Sequence, residues 1–222
     1  MFNVFFDLDG TLTDPRTGIV ASWRYLYERL GRPAPPTSEL EQYIGPPLRE
    51  GIARALGYRD ARDVERGVEI YREYYTAVGM FQDLLHAGID DCLRELRAAG
   101  ARLYVATSKA HVYATRILEY LGVLGQFEAV YGAELDGTRG NKTELLAHLL
   151  ACERLDSASA WMIGDRSHDV LAARANGVTP VGVLWGFGSR AELEGAGAKA
   201  ICEQTTALAT MLCAGFGAGQ LA

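Results

Sequence analysis

The chain has 222 residues, 49% hydrophobic and 23% charged, with a formal net charge of -6. This balance suits a globular protein with one full-sized core and a smaller second unit, and it excludes disordered and collagen-like chains. The acidic excess offers no basic surface to a nucleic acid polymer or an anionic lipid, no apolar run is long enough to span a membrane, and the first residues lack a basic leader, so the expected location is the cytoplasm.

In chain order, Asn3 to Phe6 predict a short strand buried on both faces, the kind found in the middle of a parallel sheet. It runs into Asp7 and Asp9, which an extended segment would place on one side, about 6 to 7 Å apart. Two uncompensated acids there repel, so a cation or a proton is expected between them. A helix with Trp23, Leu26, Tyr27 and Leu30 on one face ends at Gly31. A proline-rich link, Pro33 to Thr37, leads to helices over Ser38 to Tyr43, after Pro47, and from Val64 to Tyr75. No strand signal occurs between residues 15 and 80. From residue 90 the pattern alternates: helices after Asp90, over Ala110 to Leu121, Lys142 to Arg154 and Asp169 to Asn176, and strands over Arg102 to Ala106, Phe127 to Tyr131, Ala160 to Ile163 and Val181 to Leu184. The alternation predicts an α/β fold with an open parallel sheet of right-handed β-α-β units and a small helical insert after the first strand.

Three strands end in polar residues, at Asp7, Thr107 and Asp165. Ligands of open α/β sheets bind beyond the carboxyl ends of the strands. The candidates there are Asp7, Asp9, Asp165 and Asp169 as acids, Thr107 or Ser108 as hydroxyl, and Lys142 with Lys109 as cations. Oxygen donors without a histidine or cysteine cluster favour Mg²⁺ and a phosphate. An aspartate can then attack phosphorus and carry the phosphoryl group, while a second acid two residues on protonates the leaving alkoxide and later deprotonates water. Lys142 opens a helix, where a cation opposes the macrodipole, and this points to a functional reason for it. Lys109 reads either as a substrate contact or as a solvated helix start.

Asp7-Leu8-Asp9-Gly10-Thr11-Leu12, then Thr107, Lys142 and Gly164-Asp165-Arg166-Ser167-His168-Asp169, resemble the four motifs of the haloacid dehalogenase superfamily, close to its phosphoglycolate phosphatase-like branch. The resemblance implies a Rossmann-like core over residues 1–14 and 88–222 and a helical cap over residues 15–87, hinged near Thr13 to Gly18 and near Gly88. It implies Asp7 as nucleophile, Asp9 as general acid and base, Thr107 and Lys142 as further catalytic groups, and Asp7, the Asp9 backbone carbonyl and Asp165 as ligands of Mg²⁺, with Asp169 in the metal set acting through water or positioning Lys142. Gly10, Thr11, Gly45, Ser108 and Lys109 are expected at the substrate, Gly45 within a cap loop, Ile44 to Leu48, that selects the leaving group. The implied activity is hydrolysis of a small soluble phosphomonoester such as 2-phosphoglycolate, by a monomer or homodimer. A 5′-nucleotidase, a sugar phosphomutase, a dehalogenase and a degenerate binding module are the alternatives.

No role is expected for Cys92, Cys152, Cys202 or Cys213. Arg166 and His168 are expected to have no chemical role, His168 as a surface residue near an acid, and His111 and His148 to be structural or exposed. Gly186 to Ser189 reads as a turn. Tyr71, Tyr74 and Tyr75 either line the cap cleft or fill the cap's core.

Overall fold

The computed structural model describes residues 2–217. Strand β1 (Phe2–Phe6) is buried along its whole length. Its side chains alternate: Phe2, Val4 and Phe6 enter one core, and Phe5 enters a second on the opposite face. Burying each such ring stabilises by about 1.5 to 3 kcal/mol, which fixes β1 as a central strand.

After β1 the chain passes a two-residue strand β2 (Thr13–Asp14) and enters helices α1 (Arg16–Arg29), α2 (Thr37–Leu40), α3 (Leu48–Leu56) and α4 (Ala61–Ala77). It returns through β3 (Leu84–Leu85), which pairs antiparallel with β2. The two linkers of the helical insert are therefore bonded to each other, a feature too short to leave a sequence pattern. The insert's own core is aromatic, with Trp23 against Tyr43 and Tyr71, and Tyr71 stacked on Tyr75.

The remaining elements are α5 (Ile89–Ala98), β4 (Ala101–Ala110), α6 (His111–Tyr120), β5 (Ala129–Ala133), α7 (Lys142–Glu153), β6 (Ala160–Gly164), α8 (Ser167–Ala175), β7 (Thr179–Val183), α9 (Arg190–Ala196), β8 (Ala200–Cys202) and α10 (Thr205–Gly217). Six parallel strands lie in the order β5-β4-β1-β6-β7-β8. Helices α5, α6 and α10 cover the face of Phe6, and α7 and α8 cover the face of Phe5. The sequence pattern places β5 two residues early, because Phe127 is apolar for another reason: it packs edge-on against Phe6 from the loop. A bulge between Thr107 and Ala110 carries β4 on to Ala110, so α6 starts at His111. The pattern also leaves α9, β8 and α10 unread, since β8 is three residues long and α10 is an alanine-rich stretch with little polar contrast.

The insert is seated on the sheet edge. Arg49 and Arg72 both donate to the Leu135 carbonyl, at 2.9 and 3.2 Å, and Phe81 meets the Tyr120 ring edge-on at 5.3 Å. At its base α1 meets the turn of residues 79–82 backbone to backbone, because a Cβ on Gly18 would lie 1.9 Å from the Gly79 carbonyl oxygen. Gly18→Ala is expected to lower stability by about 1–3 kcal/mol by overpacking, measured by urea unfolding; an unchanged midpoint would show that the contact yields freely.

Candidate active site

Strand alternation continues past Phe6, so Asp7 points to the face covered by α7 and α8. Both helices begin there with a charged group. Lys142 is the first residue of α7, capped by Asn141, whose side chain accepts from Thr143 N–H at 2.8 Å. The Lys142 ammonium, 2% exposed, lies 2.7 Å from Asp7 Oδ1 and 2.5 Å from Asp169 Oδ1. Asp169 uses its other oxygen to accept the Arg166 N–H at 3.1 Å, capping α8. The same carboxylate thus ends one helix and neutralises the start of another. Burial works against the Lys142 charge, but Asp169 and Asp7 outweigh it and raise the ammonium above its ordinary range.

Asp165, at the end of β6, completes a trio with Asp7 and Asp169 whose oxygens all lie within 4.8 Å of one another. Among the described residues Lys142 pairs with two of these buried carboxylates, Asp7 and Asp169, and no ion pair reaches Asp165. Burial, then Asp169 and Asp7, push Asp165 up to about 8, and burial pushes Asp169 up to about 6 despite Lys142. An all-oxygen donor set with this charge deficit fits a hard divalent cation.

Asp165 is held from the side opposite the trio. The Phe187 N–H donates to Oδ2 at 2.7 Å and the Thr11 hydroxyl to Oδ1 at 3.5 Å. Gly10 adopts φ +84°, and a Cβ on it would sit 2.3 Å from Asp165 Oδ2. A Cβ on Gly186 would sit 2.4 Å from Asp165. Gly10 and Thr11, expected at the substrate, are buried and lie against Asp165. The segment from Gly186 is more than a turn, since it supplies a donor to Asp165. Two glycines around an aromatic after a strand were the available signal.

Asp9 has a different cationic partner from Asp7. The chain turns at Leu8, whose carbonyl accepts from Leu12 N–H and Thr13 N–H at 3.0 Å. The Asp9 carboxylate faces Lys109, with Nζ 2.7 Å from Oδ1. Burial raises the Asp9 carboxyl, opposed by Lys109. Lys109 is not a solvated helix start: its side chain is 7% exposed, donates to the Tyr75 hydroxyl at 2.7 Å and lies 3.6 Å from Asp83 Oδ2. Asp83, which no sequence pattern marked, is pushed up to about 7 by burial against the pull of Lys109. Beyond Asp9 opens a cavity of about 260 Å³, walled by Trp23, Tyr43, Tyr71, Tyr75 and Tyr113 and reached by Gly45, Ser108, Lys109, Arg49 and Arg72. Thr107 is 2% exposed at the end of β4, one strand from Asp7, and its hydroxyl accepts from the Lys109 N–H at 3.2 Å.

Residues 4–183 match the family described as haloacid dehalogenase-like hydrolase. The chain belongs to that family. It is 44% identical over 210 residues to a 5′-nucleotidase of Pseudomonas aeruginosa, a match covering 95% of each chain. It is 45% identical over 185 residues to a protein of Mycobacterium tuberculosis named tyrosine-protein kinase PtkA, covering 83% of this chain and 62% of that one. Its fold is similar to a solved structure from Clostridium acetobutylicum, described as a predicted phosphatase, with TM-score 0.91, 35% identity and coverage of 95% and 97%. The hydrolase is accordingly a phosphoric monoester hydrolase.

Elsewhere in the hydrolase, Arg166 ties the insert to the core: Nη1 donates to the Ile44 carbonyl at 3.0 Å and Nε to Glu192 at 3.0 Å. His168 is half-buried rather than a surface residue, with its Nε2 lacking a hydrogen-bond partner beneath Gly45, and burial, Lys142 and Arg166 push it down to about 4. Tyr71 and Tyr75 both line the cavity and fill the insert's core, while Tyr74 faces the outer side against Tyr25. The four cysteines are free, Cys92 and Cys202 buried. No helix among the described residues is long and apolar enough to cross a membrane.

The raised carboxyls set a pH dependence. Asp165, Asp83 and Asp169 sit at about 8, 7 and 6 in the folded protein against 3.8 ordinarily, so between about pH 4 and 8 the native state binds more protons than the unfolded one. Stability of the metal-free protein therefore falls as pH rises through that window. The melting temperature with chelator is expected to drop from pH 5 to pH 8.5, and added Mg²⁺ to raise it more at the higher pH. A flat profile, or no Mg²⁺ shift, would contradict the uncompensated charge at Asp165.

Proposed function

We propose that the hydrolase is a Mg²⁺-dependent phosphatase that cleaves small soluble phosphomonoesters through an aspartyl-phosphate, with nucleoside 5′-monophosphates as the substrate class. The observation that carries this reading is the position of Asp9, which lines the aromatic cavity and whose carboxyl also feels the charges of Asp7 and Lys142. Phosphate at the trio then leaves its alcohol in the cavity, with Asp9 at the bond between them.

Asp7 Oδ1 is held by the Leu8 N–H at 2.8 Å and by Lys142, so Oδ2 is the oxygen left to attack phosphorus. As that O–P bond forms, the ester O–P bond breaks and Asp9 gives its proton to the leaving oxygen. Water then attacks the aspartyl-phosphate, Asp9 takes a proton from it, and the Asp7 carboxylate is released. The Thr107 or Ser108 hydroxyl and Lys142 are placed to bind equatorial phosphoryl oxygens, where charge spreads in the transition state. Mg²⁺ held by Asp7, Asp165, Asp169 and the Asp9 backbone carbonyl would cancel the repulsion between the trio and an incoming phosphate dianion. Residues 15–87 form the cap in this reading, and the contacts of Arg49, Arg72 and Arg166 hold it over the reacting groups, excluding water.

The cavity supports the substrate class. About 260 Å³ with five aromatic walls far exceeds what a two-carbon glycolate fills, whereas a nucleobase stacks on aromatic rings with about 1–3 kcal/mol each. Arg49 and Arg72 add cations for ribose or base oxygens.

A phosphate-release panel with Mg²⁺, repeated with chelator, is expected to favour nucleoside 5′-monophosphates over 2-phosphoglycolate and to lose activity without metal. Preference for phosphoglycolate would reverse the substrate assignment, and isomerised product without free phosphate would indicate a mutase. Asp7→Asn is expected to cut turnover by at least about 10³-fold while circular dichroism stays unchanged; retained turnover would refute Asp7 as nucleophile.

A further inference from the structure

Lys109 reaches the site from the bulged end of β4, and its ammonium has two partners that belong to the insert and its linker. The Tyr75 hydroxyl, on α4, accepts at 2.7 Å, and the ring of the same residue lies 5.2 Å from the ammonium. Asp83 lies between the turn of residues 79–82 and β3, in the return linker. It is 0% exposed, neither of its carboxylate oxygens accepts a hydrogen bond, and Lys109 is its one ion-pair partner among the described residues. A buried carboxylate so poorly satisfied weakens a fold. Its use lies in the ammonium it faces, because that ammonium is 2.7 Å from the Asp9 carboxylate at the mouth of the cavity.

We propose that Asp83 and Lys109 are positioning residues for Asp9: Asp83 anchors the ammonium from the linker, and the ammonium fixes the Asp9 carboxylate where the leaving oxygen must receive its proton. The proposal rests on the phosphomonoesterase reading above. It makes proton delivery depend on the linker and α4 being seated, since both supply partners to the same ammonium. The step served is the first displacement: Asp7 bonds phosphorus, the ester oxygen departs, and that oxygen takes the Asp9 proton. A leaving group that departs as a stabilised phenolate needs no such proton, so the two roles separate by substrate.

The full chain with Mg²⁺, wild type and Asp83→Asn, is compared on the best alkyl phosphomonoester from the panel and on 2,4-dinitrophenyl phosphate. The first turnover of each is followed by rapid mixing. Asp83→Asn is expected to slow the alkyl ester by about 10- to 100-fold, with KM within about 3-fold, and to leave the dinitrophenolate burst within about 3-fold of wild type. Equal loss on both substrates, a loss carried by KM, or no loss on the alkyl ester would overturn the positioning role. Should Asp83→Asn not fold by circular dichroism, Asp83→Ser is read on the same two substrates by the same criteria. A wild-type protein that releases phosphate from neither ester overturns the phosphomonoesterase reading itself.

Discussion

One buried ammonium holds the reactive edge of the sheet together. Lys142 lies within 2.7 Å of Asp7 and 2.5 Å of Asp169, and the carboxylates it joins end β1 and begin α8. Without it, three acids would meet at the end of a strand that is buried on both faces, and the desolvation of so many charges would cost several kcal/mol each. With it, the three acids still outnumber the ammonium they surround, a charge balance that fits a divalent cation. Stability and chemistry therefore draw on the same contact.

The architecture supplies that contact without special devices. Period-two alternation sends Asp7 to the face where α7 and α8 begin, and both helices start at the carboxyl end of the sheet because right-handed crossovers bring them there. Asn141 and Asp169 cap those helices, so the residues that stop the backbone fraying also set the positions of Lys142 and of the acidic loop. The loop from Gly186 closes behind Asp165 at backbone distance, which tolerates no side chain at Gly10 or Gly186. Function here is a by-product of how strands end and helices begin.

A second ammonium divides the labour. The Asp9 carboxylate pairs with Lys109 and lines the aromatic cavity, while Asp7 pairs with Lys142 within the trio. In the proposed function the two acids, two residues apart in sequence, serve different parts of a substrate: Asp7 the phosphorus, Asp9 the alcohol. Partners of Lys109 come from the insert and its linker, so the ammonium beside Asp9 joins the sheet edge to the helical insert.

Read from residues alone, the chain yielded its family and its core: the strand into Asp7-Leu8-Asp9-Gly10-Thr11, the polar residues Thr107 and Asp165, the lysine at the head of a helix, and the alternation of strands and helices. These were legible because they are local, each set by hydrophobic period, caps and turns within a few residues. Only the tertiary structure decided that Lys109 is buried on Asp9, that Asp83 lies beneath it, that Gly10, Thr11 and Gly186 brace Asp165, and that aromatic rings from α1, α4 and α6 wall one cavity. Those facts join residues far apart in the chain, and the turn from Leu8 to Thr13 ends the strand geometry that would set the direction of Asp9. Spacing in a sequence carries the first kind of information; packing across the sheet edge creates the second.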